Sequence, residues 1–333
     1  MNPNWTSFLT TQGWIADAGH FGHPALELDA TSKGAVFAPL ADFGLIRASG
    51  PDAAGFLHNL MSNDIQGIDA VTARVAGLCT PKGRLLAIFL VWREGEDFLL
   101  MLPQEILPVI FKKLSMFVFR SKVKLSDISA ERVLIGVSPA PSFFDTVPSR
   151  FTVTSSSDGQ AIQLDDTRAL LCLAPEAALA RWPGLAAKAR PVGVDAWRWL
   201  EIAAGQPRLV TATQELFVPQ MLNMDLPGVA GVSFTKGCYP GQEIVARTHY
   251  LGKVKRRMVR AHIGHDAAPG THVYAPETGD QQCGSVVSLA PSPVGGFDCL
   301  VSVQSTAAEA GEVHLGAPDG ERLAFLPLPY NIE

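Results

Sequence analysis

Residues 236–247 read Lys-Gly-Cys-Tyr-Pro-Gly-Gln-Glu-Ile-Val-Ala-Arg, which puts a thiol, two glycines, a proline, an amide, a carboxylate and two cations into twelve positions. A core strand or helix has no use for that density of special residues. Pro240 fixes φ and Gly241 relaxes it, so the chain is expected to turn sharply here. The stretch from Gln242 to Arg247 then predicts a regular element just past Cys238. If that element is a helix, Cys238 lies near its positive N-terminal end with Lys236 close by, and both favour thiolate over thiol. The stretch has two readings. One is a thiol available for redox, metal or cofactor contact; the other is a small apolar side chain in a glycine-shaped turn. A hydrolytic thiol would need a histidine partner and an oxyanion hole. His249 and His262 are available by sequence, but no thiol-protease signature surrounds Cys238.

The same region is cationic. Lys236, Arg247, Lys253, Lys255, Arg256, Arg257 and Arg260 stand against Glu243 alone. In a chain of net charge -5 this predicts a local positive field suited to an anionic ligand tail or a phosphate. The competing reading is a solvated strand with its charges outward. The overall negative balance disfavours a general nucleic-acid binder and leaves room for a local basic groove. The glycines form neither a G-x-G-x-x-G nor a G-x-x-x-x-G-K-[ST] loop, so neither NAD nor ATP is suggested. Asn63-Asp64 could hydrogen-bond a heterocycle or simply end a helix. Trp92, Trp197 and Trp199 read as core.

A chain of 333 residues, 47% hydrophobic and 18% charged, is long enough for two or more ordered domains. Its first residues lack a cationic and apolar leader, and no apolar run approaches the length of a spanning helix. A cytoplasmic protein with no membrane partner is expected. Cys79, Cys172, Cys238, Cys283 and Cys299 are odd in number, scattered and free of any C-x-x-C pair. Neither a metal site nor a disulfide framework is suggested, and four of the five should pack as apolar side chains.

The elements that must position these residues follow from pattern. Residues 35–49 look like strand, and Gly50-Pro-Asp52 starts a helix that Ser62-Asn63-Asp64 ends. Residues 75–79 and 85–92 read as a hairpin turning at Gly83, with a third strand at 98–102. Pro103 opens a helix carrying Ile106, Ile110, Leu114 and Phe117 at helical spacing. Strands at 122–128 and 132–137 follow. Residues 139–159 are rich in Pro, Ser and Asp and make the best internal boundary. Helices are expected at 175–181 and at 195–205, the latter stopping at Gly205. Beyond residue 253, short strands between Gly-containing turns predict a small all-β barrel. The class is α+β rather than a doubly wound parallel sheet.

Lys236-Gly-Cys-Tyr-Pro-Gly-Gln-Glu243 resembles the K-G-C-[FY]-x-G-Q-E signature of the YgfZ-type folate-binding proteins. These are relatives of the glycine-cleavage T-protein, an aminomethyltransferase, and support assembly or repair of iron–sulfur clusters. Gly50-Pro-Asp-Ala-Ala-Gly-Phe-Leu57 with Ser62-Asn-Asp64 is similar to an early segment shared with T-proteins. Trp199-Leu-Glu-Ile-Ala-Ala-Gly-Gln-Pro207, Gly284-Ser-Val-Val-Ser288 and Leu326-Pro-Leu-Pro-Tyr330 extend the likeness over most of the chain. The resemblance implies T-protein-like folate-binding domains with ferredoxin-like α/β layers: two intertwined subdomains over residues 1–250, then a β-barrel over 251–333. It implies tetrahydrofolate as cofactor and iron–sulfur enzymes or their assembly factors as partners. Cys238 and Lys236 are the expected working residues, in a loop shaped by Gly237, Pro240, Gly241 and Glu243. Asn63, Asp64, Tyr239, Gln242 and Arg247 are the expected folate contacts, and Glu243 should pair with Arg247 one helical turn on.

Two departures bear on function. T-proteins carry an acidic pair where this chain has Ala87 and Ile88, and neither can handle a proton, so ordinary aminomethyl transfer should be lost. They also place a pterin-contacting glutamate where this chain has Ala203, and Glu201 lies about 200° away around the helix. An accessory role in iron–sulfur assembly, a one-carbon transferase with a relocated acid, and a non-catalytic folate sensor or scaffold are the three functions the sequence leaves open.

Overall fold

The structure, a computed structural model, describes residues 1–250 and 254–332. Residues 251 and 253, the expected start of the barrel and one of the predicted cations, lie outside them. The chain separates into two compact units that it enters more than once: Met1–Phe56, Gly67–Arg74 and Leu90–Arg198 form the first, and Leu57–Gln66, Val75–Phe89 and Trp199–Glu333 the second.

In the first unit a six-stranded sheet has the order Arg190–Pro191, Val36–Pro39, Val133–Ser138, Ala169–Leu173, Gly159–Gln163, Val153–Ser156. Only the first pair is parallel. Val133–Ser138 and Ala169–Leu173 are buried along their whole length, as continuous apolar runs predict for central strands. Trp5 and Leu9 from the helix Pro3–Thr11, and Ala178, Trp182 and Leu185 from the helix Pro175–Lys188, join Phe37, Ile135, Val137 and Leu171 in one core. The first of these helices lies where sequence pattern alone left structure undefined. Asn2 caps it, its side chain accepting from the backbone N–H groups of Asn4 and Trp5.

A second, antiparallel sheet in this unit pairs Phe43–Ser49 with Asp97–Pro103 on one side and Lys124–Asp127 on the other. The helix Leu107–Phe117 buries Leu107, Ile110 and Leu114. It begins after the expected opening at Pro103, which ends a strand instead. Phe117, expected on the buried stripe, is 45% exposed at the helix end.

The second unit contains a curled, wholly antiparallel sheet of six strands, a half-barrel, ordered His314–Leu315, His272–Tyr274, Gln282–Pro291, Phe297–Gln304, Arg256–Ile263, Ala324–Leu326. Along Arg256–Ile263 alternation puts Ala261 and Ile263 on one face, in the half-barrel core, and Met258 on the other. Met258 meets Cys79, Leu85, Ile202, Phe217 and Leu300 in a core from both halves of the unit. The helix Val194–Ala203 is followed by Gly205 at φ +62°, and the hydroxyl of Tyr330 donates to the Gly205 carbonyl at 2.7 Å. Two segments that carried the family resemblance from far apart in sequence thus meet here.

The mixed α/β composition and the antiparallel terminal half-barrel agree with the α+β expectation. One contact tests the packing. A β-carbon on Gly136 would stand 2.5–2.6 Å from the Trp197 ring. Gly136→Ala should therefore cost about 1–3 kcal/mol, as overpacking in a closed core does, read as a lowered urea midpoint with unchanged slope.

Candidate functional site

The site builds outward from the end of the helix Ala53–Leu60. The last carbonyls of any helix lack intrahelical partners and carry negative partial charge. Here the Lys236 ammonium donates to the carbonyl of Met61 at 2.6 Å and to that of His58. It also stands 4.9 Å from the centre of the Tyr239 ring. Burial lowers its pKa to about 8, against an opposing pull from Asp64 and Cys238.

The next residues form a polar clasp. Ser62 Oγ donates to the Gly231 carbonyl at 2.6 Å and accepts from the Gly77 N–H at 2.7 Å. Asn63 Nδ2 donates to the carbonyls of Val75 and Ala230, both at 2.8 Å, and its Oδ1 accepts from the Asp64 N–H at 2.9 Å. This fixes the strand entering the hairpin against the segment leading to Lys236. Asp64 Oδ1 lies 3.2 Å from His58 Nδ1. Burial and the Lys236 charge lower the His58 pKa, and Asp64 only partly offsets them.

The turn at Gly241 closes the loop on its other side. Its φ is +81°, and a β-carbon there would stand 2.6 Å from the Gly83 Cα and nitrogen. Gly83, at φ +72°, is the hairpin turn, and its own β-carbon would press on Ile244 at 3.1 Å. Glycine is required at both positions because the two turns touch backbone to backbone. The helix Gln242–Tyr250 starts here, held by Gln220 Nε2 donating to the Val245 carbonyl at 2.6 Å.

Cys238 sits between these anchors and is exposed, whereas Cys79, Cys172, Cys283 and Cys299 are buried. Burial pushes the Cys79, Cys172 and Cys299 thiols up to about 12. Among the described residues no group of three or more His, Cys, Asp or Glu could hold a metal ion.

The other expected site residues fall into two sets. Lys236, Gly237, Cys238, Tyr239, Pro240 and Gly241 form one loop, with Asn63 and Asp64 beside its base. Gly237 is exposed, and a β-carbon on it would lie 3.9 Å from His58 Nε2. Tyr239 is buried and its hydroxyl pKa is raised by that burial. Gln242 opens the helix half-buried, while Glu243 and Arg247 on the same helix are exposed and form no ion pair with each other. The expected i,i+4 pairing is therefore absent; both side chains extend into solvent, where such a pair gains little.

The predicted cationic field is smaller than the sequence count. Arg257 pairs with Asp225 and Arg260 with Asp298, each at 2.6 Å, and Lys236 points at backbone carbonyls. Arg247 and Lys255 are the exposed members of the described run.

These residues fit a folate ligand at one end only. Arg247 is an exposed cation of the kind that would hold a glutamate tail. At the pterin end, Asn63 is committed to backbone groups, and Ala203 offers no carboxylate. Glu201 is locked to Arg208 at 2.6 Å rather than free to stand in.

His58, Ser62 and Gln220 are site-building residues that sequence reading missed. Each works through a partner far away in the chain, so no local spacing marks it.

The exposure pattern predicts a thiol count. One cysteine should react with an aromatic disulfide reagent in the native protein and five after denaturation, and Cys238→Ser should abolish the native reaction. Lys236 should titrate near pH 8 by NMR of its labelled methylated amine. The folded pKa lies below the ordinary 10.5, so the native state holds fewer protons than the unfolded one between these values. Stability should rise with pH through that window, and Lys236→Met should remove this part of the slope.

No protein-family model matches the chain. It is 32% identical over 222 residues to the tRNA-modifying protein YgfZ of Vibrio atlanticus, covering 66% of this chain and 67% of that one. The protein of the same name from Serratia proteamaculans is 26% identical over 313 residues, 88% and 92% of the two chains. The crystal structure of glycine cleavage system aminomethyltransferase T from Bartonella henselae superimposes with a TM-score of 0.75, covering 100% of this chain and 98% of that one. At 16% identity that likeness establishes a shared fold. The extent and level of identity to the Vibrio protein show that the chain belongs to the YgfZ family.

Proposed function

We propose that this protein is a cytoplasmic, tetrahydrofolate-linked accessory factor for iron–sulfur enzymes, including those that modify tRNA, and that it works through Cys238. The observation that carries the reading is the isolation of one exposed thiol among four buried ones, in a loop anchored on both sides. An accessible sulfur held on a fixed backbone can meet a cluster or a partner's thiol without a large ordering cost. The relatives from Vibrio atlanticus and Serratia proteamaculans are tRNA-modifying proteins by name, which favours enzymes acting on tRNA as the clients. Aminomethyl transfer is not proposed, because Ala87 is fully buried and Ile88 packs against the core of its unit.

Lys236 serves as a positioning residue, because its ammonium is bound to carbonyls. Its effect on Cys238 is to hold the backbone two residues upstream. Tyr239 packs beneath the loop, and Gly237 leaves the thiol approachable. Arg247 is assigned to the anionic tail of the folate.

A strain lacking the protein, complemented with Cys238→Ala, should show lost iron–sulfur enzyme activity and depleted modified nucleosides in its tRNA. Rescue to the wild-type level would remove Cys238 from the mechanism. Calorimetric titration with tetrahydrofolate should give saturable heat, with affinity lowered about tenfold in Arg247→Ala, as loss of a charged hydrogen bond predicts. Absence of any heat would leave the accessory role without its folate half.

A further inference from the structure

In a chain of net charge -5, residues 112–124 contain five cations and no acid. Lys112 lies on the helix Leu107–Phe117, and Lys124 on the strand Lys124–Asp127; both are exposed, as are Arg120 and Lys122 between them. Three large apolar side chains stand among these charges: Met116 is 65% exposed, Phe117 45% and Phe119 88%. The Arg120 guanidinium lies 5.7 Å from the Phe119 ring centre.

The segment is held by the fold. The Lys122 N–H donates to Asp52 Oδ2 at 2.7 Å, and the Ser121 N–H to the Val118 carbonyl at 2.7 Å. The following strand pairs with Phe43–Ser49, matching Lys124 with Ser49. A pinned turn therefore presents a phenyl ring to solvent, where it gains nothing from burial.

We propose that this face, the outer side of the Leu107–Phe117 helix with the turn after it, binds an unpaired loop of RNA. Exposed cations that outnumber the one carboxylate bonded to the turn, Asp52, match a polyphosphate backbone, and a projecting ring beside a guanidinium offers flat surfaces on which unstacked bases can lie. The apolar stripe of the helix, Leu107, Ile110 and Leu114, is already buried in the protein. What remains outward is Val109, Met116, Phe117 and Phe119, flanked by Lys112, Arg120, Lys122 and Lys124, and the most exposed ring, Phe119, stands beside a guanidinium as a stacking platform for single bases requires. The choice of RNA rests on the tRNA-linked reading above, whereas the anion-binding character of the face does not.

The test uses the full chain with a fluorescently labelled RNA hairpin carrying an unpaired loop, read by anisotropy across a salt series. A fully paired RNA duplex and phosphatidylserine vesicles serve as the other probes. Wild-type protein should prefer the hairpin and lose affinity as salt rises. Phe119→Ala should weaken hairpin binding roughly tenfold and leave duplex binding unchanged. The double variant Lys112→Glu, Lys124→Glu should weaken both. Unchanged melting temperatures would show that these exposed substitutions leave the fold intact. Cys238→Ala should bind as wild type, so failure of the accessory reading in cells would not touch this result. Hairpin binding indifferent to Phe119 would overturn the proposal. So would Phe119-dependent binding to vesicles with none to RNA, which would make the face a membrane contact.

Discussion

The Lys236 ammonium, bonded to the carbonyls of His58 and Met61, is the constraint on which the rest of the site depends. The end of a helix presents acceptors that must be satisfied, and a lysine offers donors and a charge of the right sign. Half-burying that ammonium is costly enough to bring its pKa down to about 8. The arrangement holds because Asp64 lies close, and Asp64 is placed by the Asn63 clasp that also joins the hairpin strand to the segment at 230. With the lysine fixed, the backbone of Cys238 has little freedom. On the far side, Gly241 lies so close to the Gly83 backbone that it tolerates no side chain, and one at Gly83 would press on Ile244. The thiol is thereby held on a short span between two contacts, one to the segment Leu57–Gln66 and one to Val75–Phe89 of the same unit.

Charge in sequence and charge in space part company in this protein. The run from Lys236 to Arg260 has the higher apparent density of cations, yet Arg257 and Arg260 meet buried or nearly buried carboxylates and Lys236 meets carbonyls. Asp298 alone accepts from Arg260, His262 and Trp199. Those pairs hold the half-barrel together and leave a modest field. The segment 112–124 begins in an amphipathic helix whose pattern marks only its buried stripe. It contains no acid of its own, and the structure leaves four of its five cations exposed.

Much of the fold was legible because local rules governed it. Continuous apolar runs became central strands, Gly205 ended its helix, and four cysteines packed as apolar side chains. The helix Pro3–Thr11 was not legible, since its apolar residues make sense only against Trp182 and Phe37 far along the chain. The same holds at the site. The loop 236–247 announced itself by composition, and the requirement for Gly241 followed from turn chemistry. The direction of the Lys236 side chain did not, because a lysine two residues from a cysteine looks like an activator until the helix end that captures it is in place. His58 was invisible for the same reason.

Ala87 and Ile88 lie on a strand whose surroundings are apolar. In a strand, neighbouring residues face opposite sides, and here one is fully buried and the other packs on the core around Leu85, Met258 and Leu300. A carboxylate returned to position 87 would enter a fully buried position as a charge, and an unpaired buried charge is strongly disfavoured. The surroundings of that strand are therefore built around apolar residues rather than vacated by an acid. Function on this fold must then draw on groups that remain exposed. In the second unit the loop presents one such group, the Cys238 thiol, and the hairpin carrying Ala87 and Ile88 is the same one whose turn at Gly83 braces that loop. A strand with an apolar residue at each of these two positions thus belongs to the hairpin that holds the thiol loop in position.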